Sequence, residues 1–143
     1  MASEMENKYV IFKLDEEHYG IPIDNVLSIE KAEEITRVPN APEYVMGVIN
    51  LRGEVIPLVD LRMRLGIKLQ EYNKNSRVIV ASMGDVTAGL IVDSSSEVLE
   101  INREDIDPPP KANSDECTEF LSGVGKTSDR LIVLLNLAKV LEY

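Results

Sequence analysis

The sequence predicts an all-β protein built from two small barrels, each of about five strands. Short runs rich in valine and isoleucine recur along the chain, turn signals separate them, and the second half repeats the first. The length of 143 residues suits one domain with its own core. Because a half of about 70 residues carries a thin core, we expect one cooperative unit with two tightly packed subdomains.

Each strand is predicted from a short apolar run beside a turn. Arg52-Gly53 and Gly84-Asp85 are two-residue turns in which glycine tolerates a positive φ. An acidic turn at 15–17 and a polar turn at 127–129 join the other two pairs. The predicted strands are 9–14, 18–23, 47–51, 54–59, 77–83, 86–92, 120–126 and 130–135. The two hairpins of each half are expected to be joined by an irregular crossing.

Two short helices are predicted, one after the second hairpin of each half. Asp60 is a good N-cap for residues 61–65, and Gly66 supplies the stop. Asn136 is the corresponding cap for residues 137–141. A further single turn is expected at 102–106, since the prolines at 108–110 prevent a longer helix.

An internal repeat unites these elements. Residues 47–61 align with 123–137 at a constant offset of 76, without a gap, and place Asp60 on Asn136. A looser match joins 10–24 to 78–93. The repeat favours two similar barrels, and chance similarity between short apolar strands is the alternative.

The net negative charge of the chain argues against one class of partner, nucleic acid. Lys and Arg number 15 against 25 Asp and Glu, which gives a net charge of −10. Since nucleic-acid binding needs cations to replace counterions, we expect no nucleic acid as main partner. No apolar run approaches the ~18 residues of a membrane span, and residues 1–8 lack the build of a signal peptide. A cytoplasmic protein without membrane insertion is predicted.

Few residues suit catalysis or metal binding. Cys117 is the only cysteine and His18 the only histidine, so neither a disulfide, a zinc cluster nor a catalytic triad is available. The carboxylates are scattered without the spacing of a calcium loop. We therefore expect no enzyme activity, no metal and no cofactor.

One segment suggests an alternative, which is nucleotide binding. Gly125-Lys126-Thr127 resembles the end of a phosphate-binding loop. That motif needs a glycine where Phe120 stands, and a long helix after the loop, whereas the repeat predicts a hairpin here. A hairpin explains these residues better.

A protein-binding surface is the remaining functional prediction. Arg52 at a hairpin tip is harder to explain as core, and a rigidly held arginine is a good interface anchor. A groove between two barrels is also where apolar residues can stay exposed to a partner helix. The apolar residues at the irregular crossing, most of them expected in the core, are Val26, Ile29, Val45, Met46 and Val48.

Two motifs resemble the CheW family of chemotaxis coupling proteins. They are Gly-Val-Ile-Asn-Leu-Arg-Gly at 47–53 and Ile-Pro-Leu-Val-Asp-Leu-Arg at 56–62, and the similarity continues through 121–125. The resemblance implies two intertwined five-stranded SH3-like barrels with short helices. Within a single domain over 1–143, it suggests barrel 1 at 14–74, barrel 2 at 76–136 together with strand 8–13, and a C-terminal helix at 136–143.

The resemblance also implies a function without catalysis. Family members couple the cytoplasmic tips of chemoreceptors to the regulatory domain of the histidine kinase CheA in membrane-associated arrays. The residues it assigns to receptor binding are Val26, Ile29, Gly47, Arg52 and Val78. Those it assigns to kinase binding are Gly53 and Gly123.

Ser28 is one departure from the family pattern. Many members carry glutamate at this position, two residues after the valine matching Val26. If that carboxylate pairs with a receptor cation, this protein must use another acid, such as Glu30, or bind more weakly.

Overall fold

The computed structural model describes residues 7–32, 35–37, 39, 45–109 and 119–142. These residues form eleven strands, two short α-helices and single 3₁₀ turns at Ile23–Asn25 and Arg103–Asp105. The strands are β1 (Lys8–Leu14), β2 (Glu17–Pro22), β3 (Val26–Lys31), β4 (Val45–Leu51), β5 (Glu54–Asp60), β6 (Arg77–Met83), β7 (Val86–Val92), β8 (Ser94–Glu100), β9 (Ile106–Asp107), β10 (Leu121–Lys126) and β11 (Leu131–Leu135). The helices are α1 (Leu61–Leu65) and α2 (Leu137–Val140). The predicted all-β class is confirmed.

All four predicted hairpins are present. The two-residue β9 was not predicted as a strand, and neither were the longer β3 and β8. Both occupy stretches that follow a hairpin, and their sequences mix serine and acidic residues with isolated aliphatic ones. Such a composition has little strand preference of its own. Pairing with β6 and β1, respectively, makes these segments extended.

The two halves of the chain exchange their first hairpins. One sheet has the order β8-β1-β2-β11-β10-β9, and the other has the order β3-β6-β7-β5-β4. Hairpin β1–β2 therefore joins strands of the C-terminal half, and hairpin β6–β7 joins strands of the N-terminal half. Each sheet therefore contains strands from both sides of residue 75, since β2 lies within 14–74 while β6 and β7 lie within 76–136.

The sequence repeat corresponds to equivalent strand pairing. Leu58 pairs with Gly89 in the parallel β5–β7 contact, and Leu134 pairs with Gly20 in the parallel β11–β2 contact. Leu58 and Leu134 are 76 residues apart, the offset found in the sequence. The two sheets thus share the same parallel pairing at equivalent positions of the repeat.

Three hydrophobic clusters form the core. The largest lies between the sheets and includes Phe12, Leu61, Leu90 and Leu137. Each sheet also covers a smaller cluster, one containing Leu58 and Val78, and the other Ile11 and Ile132. Both faces of β1 and β6 are buried, and each fully buried aliphatic side chain contributes about 1.5–3 kcal/mol. The exchanged hairpins are therefore central to the core.

Both helices begin at the predicted caps. The carboxylate of Asp60 accepts a hydrogen bond from the Met63 amide at 3.3 Å, and Asn136 accepts one from the Lys139 amide at 3.3 Å. Gly66 ends α1 with a φ of 74°. Side-chain caps of this kind satisfy amides that a helix of one turn leaves unpaired.

Candidate functional site

Strand β3 presents exposed aliphatic side chains at the edge of the five-stranded sheet. Leu27 is 61% exposed and Ile29 is 44% exposed, while Val26 and Ser28 are half-buried. A bulge between Val26 and Ser28 interrupts the pairing with β6. The expected receptor-binding residues Val26 and Ile29 therefore lie on one accessible strand, and Leu27 is an exposed neighbour that the sequence did not single out.

Val78 lies beneath this strand. Its side chain is fully buried in the cluster inside the five-stranded sheet, and its backbone position pairs with Glu30 of β3. A direct contact between a partner and the Val78 side chain is not available in this arrangement. The role open to Val78 is to support β3 from the core.

The β4–β5 turn holds Arg52 in a strained conformation. Arg52 has a φ of 51° and Gly53 a φ of 88°, and the side chain of Asn50 accepts a hydrogen bond from the Gly53 amide at 2.9 Å. A left-handed conformation costs a non-glycine residue roughly 1–2 kcal/mol. The exposed guanidinium of Arg52 forms no ion pair with any described residue, so it is presented on a rigid turn and is available to a partner.

Gly47 and Gly123 occupy equivalent bulges and are buried. A Cβ on Gly47 would lie 2.4 Å from the Thr36 carbonyl oxygen, and one on Gly123 would lie 2.9 Å from the Asp107 carbonyl oxygen. Both glycines sit where the hairpin register shifts. Neither presents a side chain to a partner, and both allow a neighbouring segment to approach the hairpin closely.

Ser28 contributes a buried hydroxyl to the β3 edge. Its Oγ has no hydrogen-bond partner among the described residues. Glu30, the acid expected to replace the missing carboxylate, is half-buried two residues further along β3.

The structure does not support the nucleotide-binding alternative. Lys126 ends β10 and forms an ion pair with Asp107 at 3.2 Å. The amide and hydroxyl of Thr127 both donate to the Arg130 carbonyl at 3.0 Å, which closes a hairpin turn. No helix follows this turn, so its amides are not arranged around an anion.

Sequence reasoning missed a polar cluster around Arg62. Arg62 is 2% exposed, and its guanidinium donates to Asp93 and Asp15, to the Gln70 side chain at 2.7 Å and to the Lys68 carbonyl at 2.7 Å. The hydrogen bond to Asp93 is the main cause of a raised pKa for Arg62, and burial opposes it. The sequence contained a partial signal for a structural arginine, because Arg62 directly follows the apolar Leu61 in the short helix predicted after Asp60.

These features are typical of a protein-interaction surface. The exposed residues are aliphatic side chains on an edge strand and an arginine on a rigid turn. No group of three or more metal-binding side chains occurs among the described residues. None of the described helices has the length and apolar character needed to cross a membrane. Cys117 lies outside the described residues.

Comparisons with known proteins agree with this class. The CheW-like domain family matches residues 8–143. The chain is 41% identical over 135 residues to the chemotaxis protein CheW of Helicobacter pylori, covering 94% of this chain and 81% of the relative. It is 33% identical over 139 residues to protein FrzA of Myxococcus xanthus, covering 96% of this chain and 86% of the relative.

A solved structure shares the fold as well. The crystal structure of scaffolding protein TtCheW from Thermoanaerobacter tengcongensis matches with a TM-score of 0.87 and 40% identity, over 99% of this chain and 91% of that one. This chain belongs to the CheW-like domain family. Its relatives are non-catalytic chemotaxis scaffold proteins, and the two-sheet arrangement agrees with a pair of SH3-like barrels.

Proposed function

We propose that this protein couples the cytoplasmic tips of chemoreceptors to the regulatory domain of the histidine kinase CheA. It acts in the cytoplasm and is recruited to membrane-associated receptor arrays. Membership of a chemotaxis scaffold family supports this proposal. The observation that carries it is the exposed arginine held on the β4–β5 turn, in the sheet whose opposite edge is the apolar strand β3.

The receptor-binding surface combines apolar and charged contacts. Val26 and Ile29 on β3 offer apolar area to a receptor helix, and Arg52 offers a planar group that pairs with carboxylates or carbonyls. Gly47 and Val78 act from below the surface by setting the shape of β4 and β3.

The kinase-binding surface uses the glycine positions of equivalent hairpins. Gly53 lies in the β4–β5 turn with open space around it, whereas Gly123 lies in the bulge of β10. Here the backbone shape, rather than a side chain, is the recognised feature.

The physical effect is scaffolding, in which one protein binds two partners. Binding both partners at once raises their local concentration and lowers the entropy cost of bringing them together. Any transmission of the receptor state requires different affinities for the two states, since equal affinity shifts no equilibrium.

Arg52→Glu tests the proposal through direct binding to a purified receptor-tip fragment and to a purified CheA regulatory domain. We expect at least about tenfold weaker binding to the receptor fragment, because a hot-spot arginine contributes ≥ ~1.4 kcal/mol, with Tm almost unchanged. Calorimetric titration measures the affinity.

Lys74→Glu is the matched control, since Lys74 is an exposed cation in the turn before β6. It should leave both affinities unchanged. Unchanged affinity of Arg52→Glu for both partners would show that a different face binds. Failure of the unmodified protein to bind either partner would refute the proposed function itself.

A further inference from the structure

The internal repeat allows a comparison between the tips of the two exchanged hairpins. Leu14 pairs with Glu17 at the end of β1–β2, and Met83 pairs with Val86 at the end of β6–β7. The first turn residue is left-handed in both cases, with a φ of 57° at Asp15 and 63° at Gly84. The two tips are therefore structural equivalents.

The β1–β2 tip is covered by the chain that follows α1. Ile67 packs against the central cluster, and Leu14 is only 1% exposed. Arg62 of α1 pairs with Asp15 in the turn and with Asp93. Arg62 thus neutralises the carboxylates at this tip, and Ile67, five positions further on, packs against the cluster that contains Leu14.

The β6–β7 tip has no such cover among the described residues. Met83 is 37% exposed and Val86 is 38% exposed, in contrast to the buried Leu14. Ala138 of α2 is exposed and occupies the position equivalent to Arg62. Position 143, the equivalent of Ile67, lies outside the described residues.

The carboxylates at the bare tip have no cation beside them in the part of the chain that the structure describes. Asp24 is the equivalent of Asp93 in the looser repeat, and the neighbouring Asn25 donates to the Ser82 carbonyl at 2.9 Å, which brings Asp24 close to the tip. Asp24 and Asp85 are exposed, and neither forms an ion pair with a described residue. The tip combines an exposed apolar pair with two unpaired acids.

We propose that the β6–β7 tip is a docking site for an extended segment of a partner protein that carries an aliphatic residue near an arginine or lysine. The partner's aliphatic side chain covers Met83 and Val86, in the way that the chain after α1 closes off the equivalent tip, where Leu14 is buried. Its cation lies near Asp24, as Arg62 lies near Asp93. The net charge of −10 favours the approach of a basic segment. The tip adjoins the start of β3, since Asp24 lies two residues before Val26, but the proposal does not depend on the proposed function.

A peptide with the sequence of residues 61–70 of this chain serves as the probe, because it contains the arginine and isoleucine of the covered tip. In an NMR titration of the full chain, we expect amide shifts concentrated at residues 24–25 and 83–86. Asp24→Asn should weaken binding at least about threefold, and the matched control Glu104→Gln should not. Absence of shifts at millimolar peptide, or equal binding by Asp24→Asn, would overturn the proposal.

A graft of the missing cation provides the second test. Ala138→Arg places a guanidinium at the position equivalent to Arg62. We expect Tm at low salt to rise by about 2 °C, with the rise absent in the Ala138→Arg, Asp24→Asn double variant. Peptide binding should weaken as well. Unweakened peptide binding to Ala138→Arg, or dimerisation of the unmodified chain through this tip in light scattering, would show that the inferred occupant is wrong.

Discussion

Arg62 shows how one side chain joins distant parts of the chain. Its guanidinium connects α1 to the β1–β2 turn and to the junction of β7 with β8, through Asp15 and Asp93. Asp93 also accepts a hydrogen bond from the Asp15 amide at 2.7 Å, so one carboxylate orders both the turn and the arginine. A buried charge is stable only when its donors are satisfied, and this cluster meets that condition.

Arg62→Met removes this cation while retaining its bulk. We expect the free energy of unfolding to fall by about 2–3 kcal/mol, because charged hydrogen bonds are lost and Asp93 keeps an unpaired carboxylate. Urea unfolding measures the loss. Lys74→Met, at an exposed lysine, should change stability by less than about 0.5 kcal/mol. Equal effects of the two variants would contradict a structural role for the cluster.

Tyr72 links stability to alkaline pH. Burial, followed by the hydrogen bond from its hydroxyl to Asp60 at 2.8 Å, raises the pKa of Tyr72 above its ordinary value. The unfolded tyrosine therefore ionises first, and the stabilisation is complete below about pH 10 and is lost as the pH rises above it.

Tyr72→Phe should accordingly lower stability by about 1 kcal/mol at neutral pH and flatten the decline above pH 10. Chemical denaturation at a series of pH values measures both effects. Curves for the two proteins that stay parallel from pH 7 to 11 would refute the role of Tyr72.

At the scale of elements, the hairpins are shaped by a few glycines with different tasks. Gly47 allows the Thr36 carbonyl to approach β4, since Thr36 and Val48 exchange hydrogen bonds of 2.9 and 2.8 Å. Gly53 instead supplies a left-handed turn residue in open space. Gly47 is therefore needed because a side chain would not fit, and Gly53 because a side chain would strain the backbone.

Gly47→Ala should therefore be costlier than Gly53→Ala. We expect losses of about 2–3 kcal/mol for overpacking at Gly47 and of about 1 kcal/mol for strain at Gly53. Gly84→Ala, with a φ of 63° and open space, is the control for Gly53→Ala. The same thermal shift in all three variants would mean that the close approach at Gly47 does not matter.

At the scale of the whole molecule, hairpin exchange makes the two halves interdependent. Hairpin β1–β2 pairs with β8 on one side and with β11 on the other, and both of these strands belong to the second half. The strands that pair with β6–β7, β3 and β5, belong to the first. A half on its own loses both the pairing of its hairpin and one side of the central cluster.

Fragments 1–74 and 75–143 should each lack a cooperative thermal transition and should recover one when mixed. Circular dichroism and size-exclusion chromatography measure the recovery. Cooperative unfolding of either fragment alone would show that the exchange is not needed for stability.

Local signals in the sequence determined the hairpins, both helix caps, the internal repeat, the acidic surface and the family. These features depend on residues a few positions apart, such as Asp60 and the Met63 amide. Only the tertiary structure decided which strands the first hairpins join, that β3 and β8 are strands at all, and that Ile29 is exposed while Val78 is buried. Partners tens of residues apart in the chain make those choices, and no short window of sequence contains both members of such a pair.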